Sequence, residues 1–526
     1  MSDGQTQPDR AFVLGLDGVP WGKLNGWIDD GNLPNFERLR ESGAAGKFES
    51  TTPATTPLAW PSIATGVWPD KHGIYWFQRL QEDYGHTMNT SRNVEQPALW
   101  NMLSPAIVAN VPMTYPAESI DGEVVAGMMT PEENERFTHP PELGEEIRER
   151  IPDYEVGLSW SEYEDRPDAF AEDIAGMVAA RRELMRLLMD REEWRLFFFV
   201  YTAPDRLQHL LWEESVLIDH YQLLDDILGE VMEYVADREA LLFVVSDHGF
   251  GPIEKYASIN TALEEHGYLV RSGSGGTRGI LSNLGVTKEN VLSMLDRVGV
   301  DERTLVEAVP TRVVDTIARQ VPGSHALYDV DFEQTQAFVH GTGCLYVNDA
   351  DRFKHGPVDP SERAAVKDAV AEALEGVTDP ETGDHVFEVH DGEEIFETDS
   401  ESPDLVVGGA GPYRKVTELR DQIVGPRESE SASHHSEGVF FAWGPSVDVG
   451  ATPESASVVD LAPTLLHGLG EPVPDSMDGS VLSDIFTTDA AVDRRRIGGT
   501  GGAVEASAEE DFDDVEERLS GLGYLS

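Results

Sequence analysis

The stretch Ala11-Phe12-Val13-Leu14-Gly15-Leu16-Asp17 decides the fold, because an unbroken apolar run ends there in a carboxylate. A short apolar run of this kind marks a strand buried on both faces, as in a parallel sheet covered by helices. Runs of the same character span Ala106 to Val111, Leu196 to Tyr201, Leu241 to Val245, Leu405 to Val407 and Val439 to Ala442. Between them the apolar period becomes helical, over Pro34 to Ser42, Ala169 to Met189, Val216 to Asp237 and Val458 to Leu469. Alternating strands and helices predict an α/β protein on a mainly parallel sheet.

In open sheets of this class, ligand sites collect at the carboxyl ends of the strands. Asp17 stands at such an end. Asp205 and His209 follow Leu196 to Tyr201, and their spacing of four places both on one face of a helical turn. Asp247 and His248 follow the run Leu241 to Val245 directly after Ser246. A lone histidine among the 15 in the chain would read as a core or surface residue, but three strand ends supplying carboxylates, two of them with imidazoles, predict a dinuclear metal centre. Oxygen and imidazole donors without thiolate suit two divalent ions, Zn²⁺ or Mn²⁺, with Mg²⁺ or Fe as further options.

The chain has 526 residues, with 39 Lys plus Arg against 97 Asp plus Glu, a formal net charge of −58. A surface this acidic repels phosphate backbones and anionic lipid, so neither a nucleic-acid duplex nor a membrane is an expected partner. With 40% hydrophobic residues and 10 Trp, 14 Tyr and 20 Phe, it is nevertheless a folding chain with a large core. Only 8 of the basic residues are Lys and 31 are Arg, which together with the excess of acid reads as a halophilic surface. At molar salt the Debye length falls to about 3 Å and the self-repulsion is screened. The single cysteine, Cys344, allows no intrachain disulfide and suits a reducing interior. No stretch approaches the roughly 18 apolar residues of a membrane span, and Met1 to Arg10 has no signal-peptide core. The expected location is cytoplasmic.

Composition divides the chain into a first part of the catalytic core, 1–270, a helical insertion, 271–331, a second part of the core, 332–496, and a Gly-rich linker with an acidic C-terminal helix, 497–526. In the last segment Phe512, Val515, Leu519 and Leu522 recur at helical spacing. Such a stripe predicts a tail docked on its own domain, with a homo-oligomer contact as the alternative.

Several segments resemble the type I phosphodiesterase/nucleotide pyrophosphatase branch of the alkaline phosphatase superfamily. The stretch Ser50-Thr51-Thr52-Pro53-Ala54-Thr55-Thr56-Pro57-Leu58-Ala59-Trp60-Pro61-Ser62-Ile63-Ala64-Thr65-Gly66, followed by Pro69-Asp70-Lys71-His72-Gly73-Ile74, is similar to that family's nucleophile region. Further matches are Asp205-Arg206-Leu207-Gln208-His209, Ser246-Asp247-His248-Gly249-Phe250, Ser433-His434-His435-Ser436-Glu437-Gly438 and Met477-Asp478-Gly479. The resemblance implies an alkaline-phosphatase-like α/β/α sandwich. It implies one metal site of Asp205, His209 and His434 and a second of Asp17, Asp247 and His248, with Thr56 beside it as nucleophile. Thr55 is the competing nucleophile and His435 the competing ligand.

The implied reaction is attack by Thr56 on a small phosphorylated substrate, most readily a phosphodiester, with a phospho-threonine intermediate. A phosphomonoesterase or phosphotransferase on the same centre is the alternative, and a catalytically silent binding protein a more distant one. A sulfatase is disfavoured, because Cys344 lies in Gly343-Cys344-Leu345 and not in a Cys-x-Pro-x-Arg setting. Where pyrophosphatases of the family carry an Asn to hold phosphate, this chain reads Tyr75-Trp76-Phe77-Gln78-Arg79, leaving Gln78, Arg79 and Arg92 as candidate clamps.

Overall fold

Strand β1, Ala11–Leu16, takes the middle of an eight-stranded sheet in the computed structural model of the protein. The other strands are β2 (Ala44–Glu49), β3 (Ala106–Ala109), β4 (Gly122–Val125), β5 (Thr138–His139), β6 (Leu196–Tyr201), β7 (Leu241–Val245) and β8 (Glu437–Trp443). Their order is β2-β8-β7-β1-β6-β3-β4-β5. The run β7-β1-β6-β3-β4 is parallel throughout, while β8 and β5 are antiparallel to their neighbours. The structure describes residues 8–131, 134–158, 163, 166–272, 330–396, 401–427, 430–488, 490–496, 512, 515, 516 and 519.

Both faces of the sheet are covered, and strand periodicity shows how. Successive side chains alternate in direction, so Phe12, Leu14 and Leu16 join one core while Ala11 and Val13 join the other. On the first face Phe12 stacks on Phe197 at 4.5 Å beneath α1 (Trp21–Asp29), α2 (Pro34–Ser42), α4 (Pro167–Met189) and α6 (Glu214–Ala236). On the second face Trp60 and Ile63 of α3 (Thr56–Thr65) pack with Leu461 and Leu465 of the late helix Leu461–Gly468. Each such side chain, fully buried, stabilises the fold by about 1.5–3 kcal/mol. The result is an α/β/α sandwich of the alkaline-phosphatase type.

The run Leu405 to Val407 is not part of the main sheet. Leu405–Gly409 pairs antiparallel with Cys344–Val347 and Phe387–Asp391 in a separate four-stranded sheet that has its own hydrophobic cluster under helix Arg363–Glu375. Its neighbour strands Ala337–His340 and Cys344–Val347 are joined by a tight turn through Gly341 and Gly343, at φ 65° and 92°, which only an antiparallel pair can use. The strand at Ala106 also stops early, at Ala109, because Asn110 takes φ 59°.

The insertion at 271–331 lies outside the described residues except at its edges, as do the Gly-rich linker and Leu522. Of the C-terminal stripe, Val515 and Leu519 are buried in the first core and Phe512 meets Tyr115 edge-on. Among the described residues no helix is long and apolar enough to cross a membrane.

Candidate active site

The carboxyl ends of β1, β6 and β7 lie side by side, since these three strands are neighbours in one parallel run. Asp17 leaves β1 and is fixed from two sides. Its Oδ2 accepts a hydrogen bond from Trp60 Nε1 at 3.0 Å, and the next residue, Gly18 at φ 73°, donates its N–H to Asp247 Oδ1 at 3.2 Å. A side chain at position 18 would be strained there and would press on the Asp205 backbone, so the turn needs glycine. Asp205 and His209 stand on α5 (Ala203–Leu210), which starts one residue after Thr202 at the end of β6.

Asp247 and His248 follow β7. Ser246 Oγ accepts from the Val19 N–H at 2.8 Å and so locks the β7 turn to the β1 turn. His248 Nδ1 donates to the Gly249 carbonyl at 3.0 Å, which leaves Nε2 an acceptor, close to Asp247 Oδ2 (3.3 Å), Asp17 Oδ1 (3.6 Å) and Asp205 Oδ1 (3.9 Å). Thr56, the first residue of α3, is fully buried with its Oγ1 3.3 Å from the same nitrogen.

His434 arrives on a short strand, Ala432–His435, paired antiparallel with Gly249–Pro252. Its Nδ1 donates to the Ala54 carbonyl at 3.2 Å, and its Nε2 faces Asp205 Oδ1 and His209 Nε2, both at 3.1 Å. Its ring stacks on His248 at 3.8 Å. Alternation along this strand turns His435 outward, where it is exposed. The structure thus brings together Asp17, Thr56, Asp205, His209, Asp247, His248 and His434. Donor atoms of Asp205, His248 and His434, and likewise of Asp17, Asp247 and His248, lie within 4.8 Å of one another, with His248 common to both groups.

The electrostatics call for a cation. Burial, then Asp247 and Asp205, push the Asp17 carboxyl well above the usual range, and burial with Asp205 does the same to Asp247. Burial also works upward on Asp205, but His209, His434 and His248 pull it below the carboxylate range. Burial holds His209 down to about 3 and His248 well below its ordinary value, so these imidazoles are neutral donors. Asp17 Oδ1 and Asp247 Oδ2 are buried without a hydrogen-bond donor among the described residues. Neutral imidazoles beside carboxylates that cannot all ionise unaided are the donor chemistry of divalent metal sites.

Of the candidate clamps, two are engaged elsewhere: Gln78 Nε2 donates to Glu516 at 3.3 Å and Arg79 pairs with Glu401. His72 Nδ1 accepts the Ile74 N–H at 3.2 Å and its Nε2 meets Ser62 Oγ at 3.0 Å, so it ties α3 to its following turn. Trp60 escapes sequence reasoning, although its place four residues after Thr56 on the same helix face was a signal for it.

The family model of the type I phosphodiesterase / nucleotide pyrophosphatase matches residues 11–436. The chain belongs to that family. It is accordingly a hydrolase of phosphoric esters within the alkaline phosphatase superfamily. The match begins at β1 and ends two residues beyond His434, so it spans every residue of the cluster. Among solved structures, human ectonucleotide pyrophosphatase / phosphodiesterase 5 is 13% identical, with a TM-score of 0.51 over 91% of this chain and 100% of that one. The murine protein of the same name, as an inactive threonine-to-alanine variant in complex with AMP, is also 13% identical, with a TM-score of 0.50 and the same coverage. At this identity the likeness shows the fold. No curated protein sequence matches the chain.

Proposed function

We propose that the protein is a phosphodiesterase that works through a phospho-threonine intermediate at a dinuclear metal centre. The observation that carries this reading is the placing of Thr56 Oγ1 3.3 Å from Nε2 of His248, the residue at which the two clusters of donor atoms meet. Asp205, His209 and His434 would hold one divalent ion and Asp17, Asp247 and His248 the other, with Zn²⁺ or Mn²⁺ best suited to the donors. Such ions, when bound, make a threonine alkoxide accessible near neutral pH and offset charge on the phosphoryl oxygens.

The chain's own residues do the rest. Thr56 heads α3, so the positive end of the helix dipole lies at the attacked phosphoryl group. Its Oγ1 forms the new bond to phosphorus as the ester oxygen leaves with the bonding pair, and water later cleaves the Thr56–phosphate bond to restore the hydroxyl. Trp60 holds Asp17, and the Gly249 and Ala54 carbonyls hold the rings of His248 and His434, so these donors do not reorganise during the reaction. The murine relative, inactive as a threonine-to-alanine variant, supports a threonine nucleophile. The substrate is a small phosphorylated molecule, and the buried lone thiol of Cys344 fits a cytoplasmic setting.

Protein stripped of metal and reloaded with Zn²⁺ or Mn²⁺ should hydrolyse bis-p-nitrophenyl phosphate. Thr56→Ala should lower turnover by at least about a thousandfold, as loss of a nucleophile does. Undiminished turnover in that variant would refute the covalent route.

A further inference from the structure

Arg181 carries a buried charge that the proposed reaction does not use. It sits on α4 and is 1% exposed. Its Nη1 donates to Thr202 Oγ1 at 2.9 Å and its Nη2 to the Val156 carbonyl at 2.8 Å, both neutral acceptors, while Nε is buried without one. No carboxylate among the described residues forms an ion pair with it. A guanidinium withdrawn from water is normally held by a carboxylate, since the loss of hydration is otherwise uncompensated. Burial, joined by the like charge of Arg206, brings its pKa down only to about 10, so it stays charged at neutral pH, with Tyr154, Tyr201 and, least, Asp17 favouring the charged form.

Its location gives that charge a use. In the β1–β6 register Leu16 pairs with Tyr201, so Thr202 stands level with Asp17 at the sheet edge where the metal donors gather. Thr202 also precedes α5, which carries Asp205 and His209, and it makes no side-chain cap bond of its own to that helix. Arg181 therefore grips the turn from which two of the donors are delivered. Three carboxylates against two divalent ions leave one positive charge, to which the buried guanidinium groups of Arg206, next to Asp205, and Arg181 each add one.

We propose that Arg181, held at Thr202 beside the head of α5, sets one buried positive charge behind the carboxylates, so that the loaded site takes an anionic phosphoryl group more tightly than the metal donors alone would allow. This rests on the dinuclear reading above. It resolves a conflict between the acidic surface, which repels phosphate at long range, and a site that must bind it.

The test is Arg181→Met in the full chain, with metal content measured by elemental analysis and inorganic phosphate binding to the Mn²⁺-loaded protein by calorimetry. Loss of a unit charge acting over about 10 Å, two strand spacings, at an effective dielectric near 20 should weaken phosphate by roughly tenfold. Metal should bind as tightly as in wild type or more tightly, because a like charge is gone. A merely structural role predicts the reverse, with metal weakened and phosphate unchanged, and that result or unchanged phosphate affinity alone would overturn the proposal. If Arg181→Met does not fold, Arg181→Lys decides: phosphate affinity within about threefold of wild type supports the charge, and a loss of about tenfold or more refutes it. A wild-type protein that binds no divalent ion fails the dinuclear reading itself.

Discussion

Replacing Asp247 by Asn should stabilise the metal-free protein while removing one metal. Donor atoms of Asp17, Asp247 and His248 lie within 4.8 Å of one another, and two carboxylate charges at that separation repel by about 3 kcal/mol at an effective dielectric near 20. An Asn still offers its Oδ1 to the Gly18 N–H. Unfolding entropy of about 2.1 cal/mol/K per residue, over 526 residues, amounts to about 1 kcal/mol per degree. The melting midpoint of chelator-treated Asp247→Asn at pH 7 to 8 should therefore exceed that of chelator-treated wild type by about 3 °C.

The pH dependence carries the same sign. Asp17 and Asp247 have raised pKa values when folded, so the folded state keeps protons that the unfolded chain releases from about pH 4 upward. Their contribution is fully present in acid and is lost as pH climbs toward the folded values. Asp205, whose pKa is lowered, acts oppositely, and its contribution fades only as pH falls through strongly acid values. Metal-free wild type should thus lose stability from pH 5 to 8 more steeply than Asp247→Asn does. Scanning calorimetry across that range, with elemental analysis of reloaded samples, reads both effects. A midpoint lowered by several degrees, or metal content unchanged from wild type, would show that the carboxylates do not repel one another as argued.

Trp60→Phe keeps the core ring but loses the Nε1 bond to Asp17, and should cut turnover about tenfold with the fold intact by circular dichroism. Leu519→Ala removes a side chain that is 2% exposed, and denaturant unfolding should show a loss of about 2–5 kcal/mol, whereas a tail lying loosely on the surface would show almost none. Activity on a phosphodiester and the melting midpoint should both rise from dilute buffer toward molar KCl, and a protein equally active and stable at both ends would show that the −58 charge is no salt adaptation.

Asp17, Asp205 and Asp247 were legible because each follows within a few residues a strand whose apolar run is unmistakable, and parallel order then brings such ends together. His434 was not legible on that logic. It enters on a four-residue strand whose partner, Gly249–Pro252, has no apolar run, and family resemblance alone pointed to it. The edge strand β2 was missed because Ala44-Ala45-Gly46-Lys47-Phe48-Glu49 has small residues where a strand usually shows bulk, and Gly46 is needed small against Pro453. Arg181 lies in mid-helix and gains meaning only from Thr202, a contact set by how α4 crosses the end of β6. Local pattern reveals elements and their ends, whereas contacts between elements distant in sequence leave no periodic trace.

Strand β8 wedges between β2 and β7, and the short strand bearing His434 comes just before it. A ribosome delivers Asp17 and Thr56 almost at the outset, yet β2 waits for its sheet partner, and the cluster for its last imidazole, until most of the polypeptide has emerged. Translation thereby acts as a timer. A chain that stops short of β8 lacks His434 or the strand that follows it, so an unfinished or prematurely terminated product lacks the complete donor cluster.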